Sequence, residues 1–263
     1  MTVSSESVLY SVCPNGIATV ALNKPEVRNA FDDELVASLL AAFNRAEADD
    51  AVRVLVLTST HEKIFSAGGN LNGFASEETV LQKYQRNSSA PKLIETMMGL
   101  RIPVLCALNG HALAGGFGLI LGCDLILAKE GVRIGTPEIN IGAFPFIISA
   151  LMMRNIPRKK VMEMLFLGDQ MGVEEAQALG VINRVVPAGQ FEALVQEWAE
   201  KLASKSPLMI KLGKKAFQEQ QDRPLFEAFR LLEHYLTLAQ NTTDVKEGVA
   251  AFMEKRAPKW KGC

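Results

Sequence analysis

Three stretches of this chain hold residue types that could work together on an anion and a proton. The first is Phe65-Ser66-Ala67-Gly68-Gly69-Asn70-Leu71, the second runs from Asn109 through Gly115-Gly116-Phe117-Gly118, and the third is Gly135-Thr136-Pro137-Glu138-Ile139. The apolar runs Val52–Thr58 and Ile102–Leu108 lead into the two glycine turns, and a helix-like run, Leu119–Cys123, leads out of the second. A glycine turn between strand and helix exposes backbone N–H groups that have no partner inside the helix and attract negative charge. If the two strands are neighbours, both turns aim N–H donors at one spot. Two converging donors make an oxyanion hole, able to stabilise the enolate of a thioester or ester. The alternative is that both are tight turns and nothing more.

Glu138 is the acid–base candidate. Ile134, Ile139, Ile141, Phe144 and Phe146 surround it in sequence. A carboxylate among apolar side chains has its pKa raised, which suits proton transfer near neutral pH. Its other reading is an edge glutamate facing water. His111 lies in the second turn, but no Ser or Cys is placed as its nucleophile, so a structural role is expected. His61 and His234 have no evident partners, and Asp124, at the end of the apolar run, reads as a cap or a buried structural acid. The Gly-x-Gly-x-x-Gly order of a dinucleotide site is absent, as are the Walker, His-Glu-x-x-His and Gly-x-Ser-x-Gly patterns.

Alternating and apolar runs supply the elements that must position these groups. Val8–Val12 and Ile17–Leu22 read as a hairpin about Pro14-Asn15-Gly16, and 23–30 as a loop. Phe31–Ala48 has helical apolar spacing at Leu35, Leu39, Ala42 and Phe43. Residues 76–99 predict one polar helix, Asp124–Ala128 a strand, and 147–179 short helices, with Val181–Val186 as a last strand. Beyond Pro187 four helices follow, Phe191–Ala203, Pro207–Gln221, Pro224–Gln240 and Thr243–Lys255. The fold class is therefore α/β, with a mixed core over 1–187 and a helical region over 188–263.

Composition removes several function classes. The 28 basic and 29 acidic residues give a net charge of −1, so nucleic acid or an anionic membrane has no electrostatic claim on the chain. The longest apolar stretch, Ile139–Met153, is broken by Asn140, Gly142 and Pro145 and is too short to span a bilayer. The N-terminal residues lack the features of a signal peptide or presequence, which predicts a soluble cytoplasmic protein. Cys13, Cys106, Cys123 and Cys263 form no Cys-x-x-Cys pair, so neither disulfides nor a metal site is expected.

Taken together, the motifs resemble the crotonase (enoyl-CoA hydratase/isomerase) superfamily over nearly the full length. The pieces that carry the resemblance are Leu22-Asn23-Lys24-Pro25 with Arg28-Asn29-Ala30, Phe65–Leu71, Asn109-Gly110 with Gly115-Gly116, and Cys123-Asp124-Leu125. Gly135–Ile139 with Gly142, Leu179–Pro187, and the tail residues Phe252, Lys255 and Arg256 complete the set. The resemblance implies a spiral of ββα units followed by a helical trimerisation region, and a hexamer built as a dimer of trimers. It implies an acyl-CoA thioester as substrate, with no cofactor beyond that coenzyme A and no metal. On this alignment the oxyanion donors are the N–H groups of Gly69 and Gly115, and Glu138 is catalytic. Ala67, Gly69 and Leu71 would line the adenine pocket, Lys24 and Arg28 would contact substrate, and Phe252 and Lys255 would reach coenzyme A from a neighbouring subunit.

Two positions depart from the pattern. Hydratases of the superfamily use two glutamates, and the second should stand at 118, where this chain has glycine. Gly118 leaves Glu138 to act alone and removes side-chain volume, so a bulkier acyl group could enter there. Single-carboxylate members include double-bond isomerases and hydroxycinnamoyl-CoA hydratase-lyases. A lyase would need a phenol-binding tyrosine, and of Tyr10, Tyr84 and Tyr235 either Tyr84 or Tyr235 could serve. A non-catalytic acyl-CoA binder is the reading from a different class. Asn70 stands where the superfamily usually has Asp, a change expected to affect loop packing.

Overall fold

The computed structural model describes residues 6–69 and 77–263. Leu71 and Asn70 fall outside them. The expected hairpin is present: β1 (Val8–Val12) and β2 (Ile17–Leu22) pair antiparallel, with Val8 opposite Leu22. β3 (Val54–Ser59), β5 (Val104–Leu108), β7 (Leu125–Lys129) and β10 (Arg184–Val186) extend this sheet in parallel, in the order β1-β2-β3-β5-β7-β10. Four three-residue strands make a second sheet: β4 (Ile64–Ser66), β6 (His111–Leu113), β8 (Arg133–Gly135) and β9 (Gln170–Gly172). Each pass of the chain thus places one strand in the large sheet, one in the small sheet, and then helix. The passes β3–β4, β5–β6 and β7–β8 are successive ββα turns of a spiral.

The helices form where local chemistry starts them. α1 (Asp33–Ala48) opens at Asp32, whose carboxylate accepts from Leu35 N–H at 2.8 Å, and buries Leu35, Leu39 and Phe43 against the large sheet. The single helix expected over 76–99 is two, α2 (Val80–Asn87) and α3 (Ser89–Met98). Thr79 and Gln82 form a capping box that starts α2. Pro91, which has no N–H to donate, sits in the first turn of α3, where none is needed. α4 (Gly115–Leu121) begins at the second glycine turn itself. α5 (Phe146–Asn155), α6 (Arg158–Leu167) and α7 (Val173–Ala178) complete the mixed core. The last strand is shorter than its apolar run predicts, because Val181 and Ile182 turn inward and Asn183 Oδ1 accepts from Ile126 N–H at 2.7 Å.

The C-terminal helices are α8 (Phe191–Ala203), α9 (Pro207–Gln220), α10 (Leu225–Gln240) and α11 (Thr243–Met253). α8 is a layer of the core: Phe191, Val195 and Ala199 cover the outer face of the large sheet over Val54, Leu105 and Leu127. Lys214 on α9 joins the sheet through Asp124 at 2.6 Å and the Ile102 carbonyl at 2.9 Å. The tail folds back onto α11. Buried Asp244 accepts from Ser206 Oγ and from the N–H groups of Lys261 and Gly262, and Trp260 Nε1 donates to the Ser204 carbonyl. α10 and α11 expose large apolar side chains, among them Phe226, Phe229, Phe252 and Met253. No helix among the described residues is long and apolar enough to cross a membrane.

Candidate active site

The two glycine turns lie side by side because β4 and β6, the strands that feed them, pair in parallel, with Ile64 opposite His111. Gly68 takes φ +90°, and a Cβ there would sit 2.5 Å from Ala114 Cβ and 2.8 Å from Gly115 N. Only glycine allows that backbone at that separation. A Cβ built on Gly115 would in turn lie 3.6 Å from Gly69 N. No described residue accepts a hydrogen bond from the N–H of Gly69 or of Gly115. The two turns are thus adjacent in the backbone, as the expected convergence of donors requires.

The first turn is held by a loop the sequence marks only as loop. Asn29 is buried, takes a left-handed φ of 50° next to Arg28 at 57°, and uses its whole amide. Its Nδ2 donates to Ser59 Oγ at 2.8 Å and to the Phe65 carbonyl at 2.9 Å, and its Oδ1 accepts from Lys24 N–H at 2.7 Å. Ser66 Oγ donates to the Asn29 carbonyl, Ala67 N–H to that of Arg28, and Phe31 N–H to that of Gly68. Residues 28–31 are stitched to 66–68 in this way, which places Ala67 next to Arg28. Phe31 also lays its ring against Gly115, with Cδ2 3.3 Å from the Cβ position.

The second turn carries its own strain. Ala114, immediately before Gly115, has φ 50° and ψ −126°, a region that non-glycine residues avoid. Its N–H donates to the Gly135 carbonyl at 2.9 Å, tying the turn to the strand that precedes Glu138. Nothing in the sequence signals a strained alanine; three glycines in four residues hide it.

Glu138 lies in a short 3₁₀ turn, Pro137–Ile141, that follows β8. Its carbonyl accepts from Ala143 N–H at 3.0 Å, and Gly142 closes the turn in a left-handed conformation. Its Oε2 is buried and has no hydrogen-bond partner among the described residues. Burial holds the carboxyl above its ordinary pKa of 4.5, opposed by its own backbone N–H and by no charged side chain. The edge-glutamate reading is therefore not the one the structure takes. An unpaired, desolvated carboxyl of this kind suits proton exchange with a bound carbon acid.

Other expected site residues fall in different places. Lys24 is not a free cation, since its ammonium lies 2.6 Å from Asp32 and 3.0 Å from Glu34, which also accepts from Ser7 Oγ at 2.5 Å. It braces the loop, and exposed Arg28 is the cation left beside Ala67. Gly118 does not open room for a larger acyl group. It is buried, and a Cβ there would meet Ile148 Cγ2 at 2.2 Å. Phe252, 81% exposed, lies in the last turn of α11, and Lys255 follows that helix. His111 is structural as expected, its Nδ1 accepting from Arg133 N–H at 2.9 Å, and Asp124 accepts from Val104 N–H at 2.7 Å. Tyr10 is in the core under Arg45, Tyr84 is exposed on α2, and Tyr235 donates to Glu219 at 2.9 Å. Among the described residues no cluster of three or more His, Cys, Asp or Glu side chains could hold a metal ion.

Comparison with known proteins agrees with this geometry. The family model described as enoyl-CoA hydratase/isomerase matches residues 13–263. A provisionally named enoyl-CoA hydratase of Thermus thermophilus is 36% identical over 247 residues, covering 93% of this chain and 97% of its own. An (E)-benzylidenesuccinyl-CoA hydratase of Thauera aromatica is 33% identical over 251 residues, covering 94% and 96%. The crystal structure of a Mycobacterium smegmatis enoyl-CoA hydratase superposes with a TM-score of 0.93 at 28% identity, covering 97% of this chain and 99% of that one. The paired glycine turns, the lone carboxyl and these likenesses converge, and the chain belongs to the enoyl-CoA hydratase/isomerase family of the crotonase superfamily.

Proposed function

We propose that this chain acts on an acyl-CoA thioester through an enolate, with Glu138 as its single general acid/base. The observation that carries the reading is the buried, unpartnered Oε2 of Glu138 in a chain whose two glycine turns offer unpaired N–H groups. The thioester carbonyl oxygen would accept from Gly69 N–H and Gly115 N–H. Those bonds strengthen as negative charge moves onto the oxygen, so they lower the barrier more than they stabilise the ground state. Glu138 would remove or deliver the proton at the adjacent carbon. Both hydration and double-bond movement pass through such an enolate.

Coenzyme A would lie over Ala67 and Leu71, with Arg28 at its phosphates. Phe252 and Lys255 would complete the pocket from a second copy of the chain, within a trimer or a hexamer. The exposed aromatic residues of α10 and α11 support that assembly, since apolar patches of this kind mark interfaces. The chain would work in the cytoplasm. The test is Glu138→Gln. The amide keeps the volume and removes the titration, so the variant should fold with an unchanged circular dichroism spectrum and lose turnover of 2-enoyl and 3-enoyl thioesters. Retained turnover refutes the assignment.

A further inference from the structure

Ala114 holds a backbone that its own side chain disfavours. Its φ of 50° and ψ of −126° suit glycine, yet a methyl is present. That methyl abuts the first turn. A Cβ placed on Gly68 would come within 2.5 Å of Ala114 Cβ, 2.8 Å of Gly115 N and 2.8 Å of the Leu113 carbonyl oxygen. A conformation of this kind persists only where the surroundings fix it. Here they do so on both sides of the residue. Ala114 N–H donates to the Gly135 carbonyl at 2.9 Å, and the Ala114 carbonyl accepts from Gly118 N–H at 3.1 Å.

The second of these bonds sets the direction of the Gly115 donor. A trans peptide is planar, with its C=O and N–H on opposite sides. The Ala114 carbonyl is turned into α4, so the Gly115 N–H of the same plane is turned away from it. The 68–69 peptide is held in the same manner, because the Gly68 carbonyl accepts from Phe31 N–H at 2.7 Å. Rotation about ψ of Ala114 is the motion that would swing the Gly115 N–H. Glycine at 114 would widen the range of that torsion, and the missing methyl would leave slack against Gly68.

We infer that Ala114 is a positioning residue: its strained backbone and its methyl, set against Gly68, fix the angle and spacing of the Gly69 and Gly115 N–H groups, and the chain gives up stability to hold them so. The inference rests on the thioester-enolate reading above. Ala114 acts through the two glycine turns and handles no proton itself.

The test sets Ala114→Gly, Ala114→Ser and Glu138→Gln beside the wild type. In thermal unfolding, Ala114→Gly should raise Tm by a few degrees as the strain is released. A Tm at or below that of the wild type overturns the strain premise. In turnover of 2-enoyl and 3-enoyl thioesters the same variant should lose about tenfold in kcat with KM little changed, a fraction of the ~10²–10³-fold that removal of a whole donor costs. Ala114→Ser restores the Cβ and should recover most of that loss. A third readout is the infrared carbonyl stretch of bound butyryl-CoA carrying carbon-13 at its thioester carbonyl. Two donors polarise that carbonyl, so the wild type should lower the stretch from its value in free butyryl-CoA, and Ala114→Gly should lower it less. A more stable Ala114→Gly with unchanged kcat and an unchanged stretch would make Ala114 a strained turn and nothing more, and the inference fails. Failure of the underlying reading looks different: the wild type would leave the stretch where free butyryl-CoA has it, or Glu138→Gln would keep full turnover.

Discussion

Asn29 and Glu138 are both polar side chains set into apolar surroundings, and they are treated in opposite ways. Every polar atom of the Asn29 amide has a partner, and its backbone carbonyl takes a further bond from Ser66. Glu138 leaves Oε2 with none among the described residues. A satisfied buried polar group fixes geometry, because displacing it strands several partners at once. An unsatisfied one stores a standing cost that a bound substrate can relieve. The difference separates the residue that positions the oxyanion turn from the residue that handles the proton.

Substitutions sharpen that contrast. The largest effect is expected at Glu138: Glu138→Gln should cut kcat by roughly 10²–10⁴-fold, as for loss of a general acid/base, with the native fold preserved. Asn29→Ala should do the reverse, removing about 3 kcal/mol of stability in denaturant titrations by stranding Ser59, Phe65 and Lys24 groups. If Asn29→Ala proved stable yet inactive, the division of labour would be wrong. Lys24→Met should cost about 1 kcal/mol or less, because its ion pairs with Asp32 and Glu34 are partly exposed.

The smallest effect is a pH dependence. Burial raises the Glu138 pKa in the folded chain above its ordinary 4.5. Any stability it contributes as the neutral acid is complete below that ordinary value and is lost as pH rises through the raised one. The Tm advantage of Glu138→Gln over wild type should therefore grow across that window and level off above it. Over the same window kcat/KM of the wild type should rise, since the base must be ionised. A flat Tm difference would mean that Glu138 is solvated after all.

Much of the fold was legible in the sequence. The hairpin, the parallel strands and the four C-terminal helices follow from period and turn chemistry, and the two glycine turns and Glu138 stood out as an anion site and an acid. What stayed hidden is short or nonlocal. β6 and β9 have three residues each, too few for a period to register. α4 starts through glycines, against helix propensity, because Ser66 and Ile148 leave no room for side chains at Gly116 and Gly118. Asn29 gave no signal beyond being an Asn in a loop, since its partners are 30 and 36 residues away. Gly118 was visible as a gap in a pattern, yet the residue that fills the gap, Ile148, lies on another helix and reads only as core.

The chain carries two tryptophans, and the fold puts them in separate mechanical units. Trp198 rides on α8 against the large sheet, whereas Trp260 sits in the tail that Asp244 latches to α11. The protein therefore contains its own pair of optical reporters. With Trp198→Phe, emission would follow the release of the tail alone, and with Trp260→Phe it would follow the opening of the sheet. The order in which the helical cap and the spiral come apart can be read from intrinsic fluorescence, with no label attached.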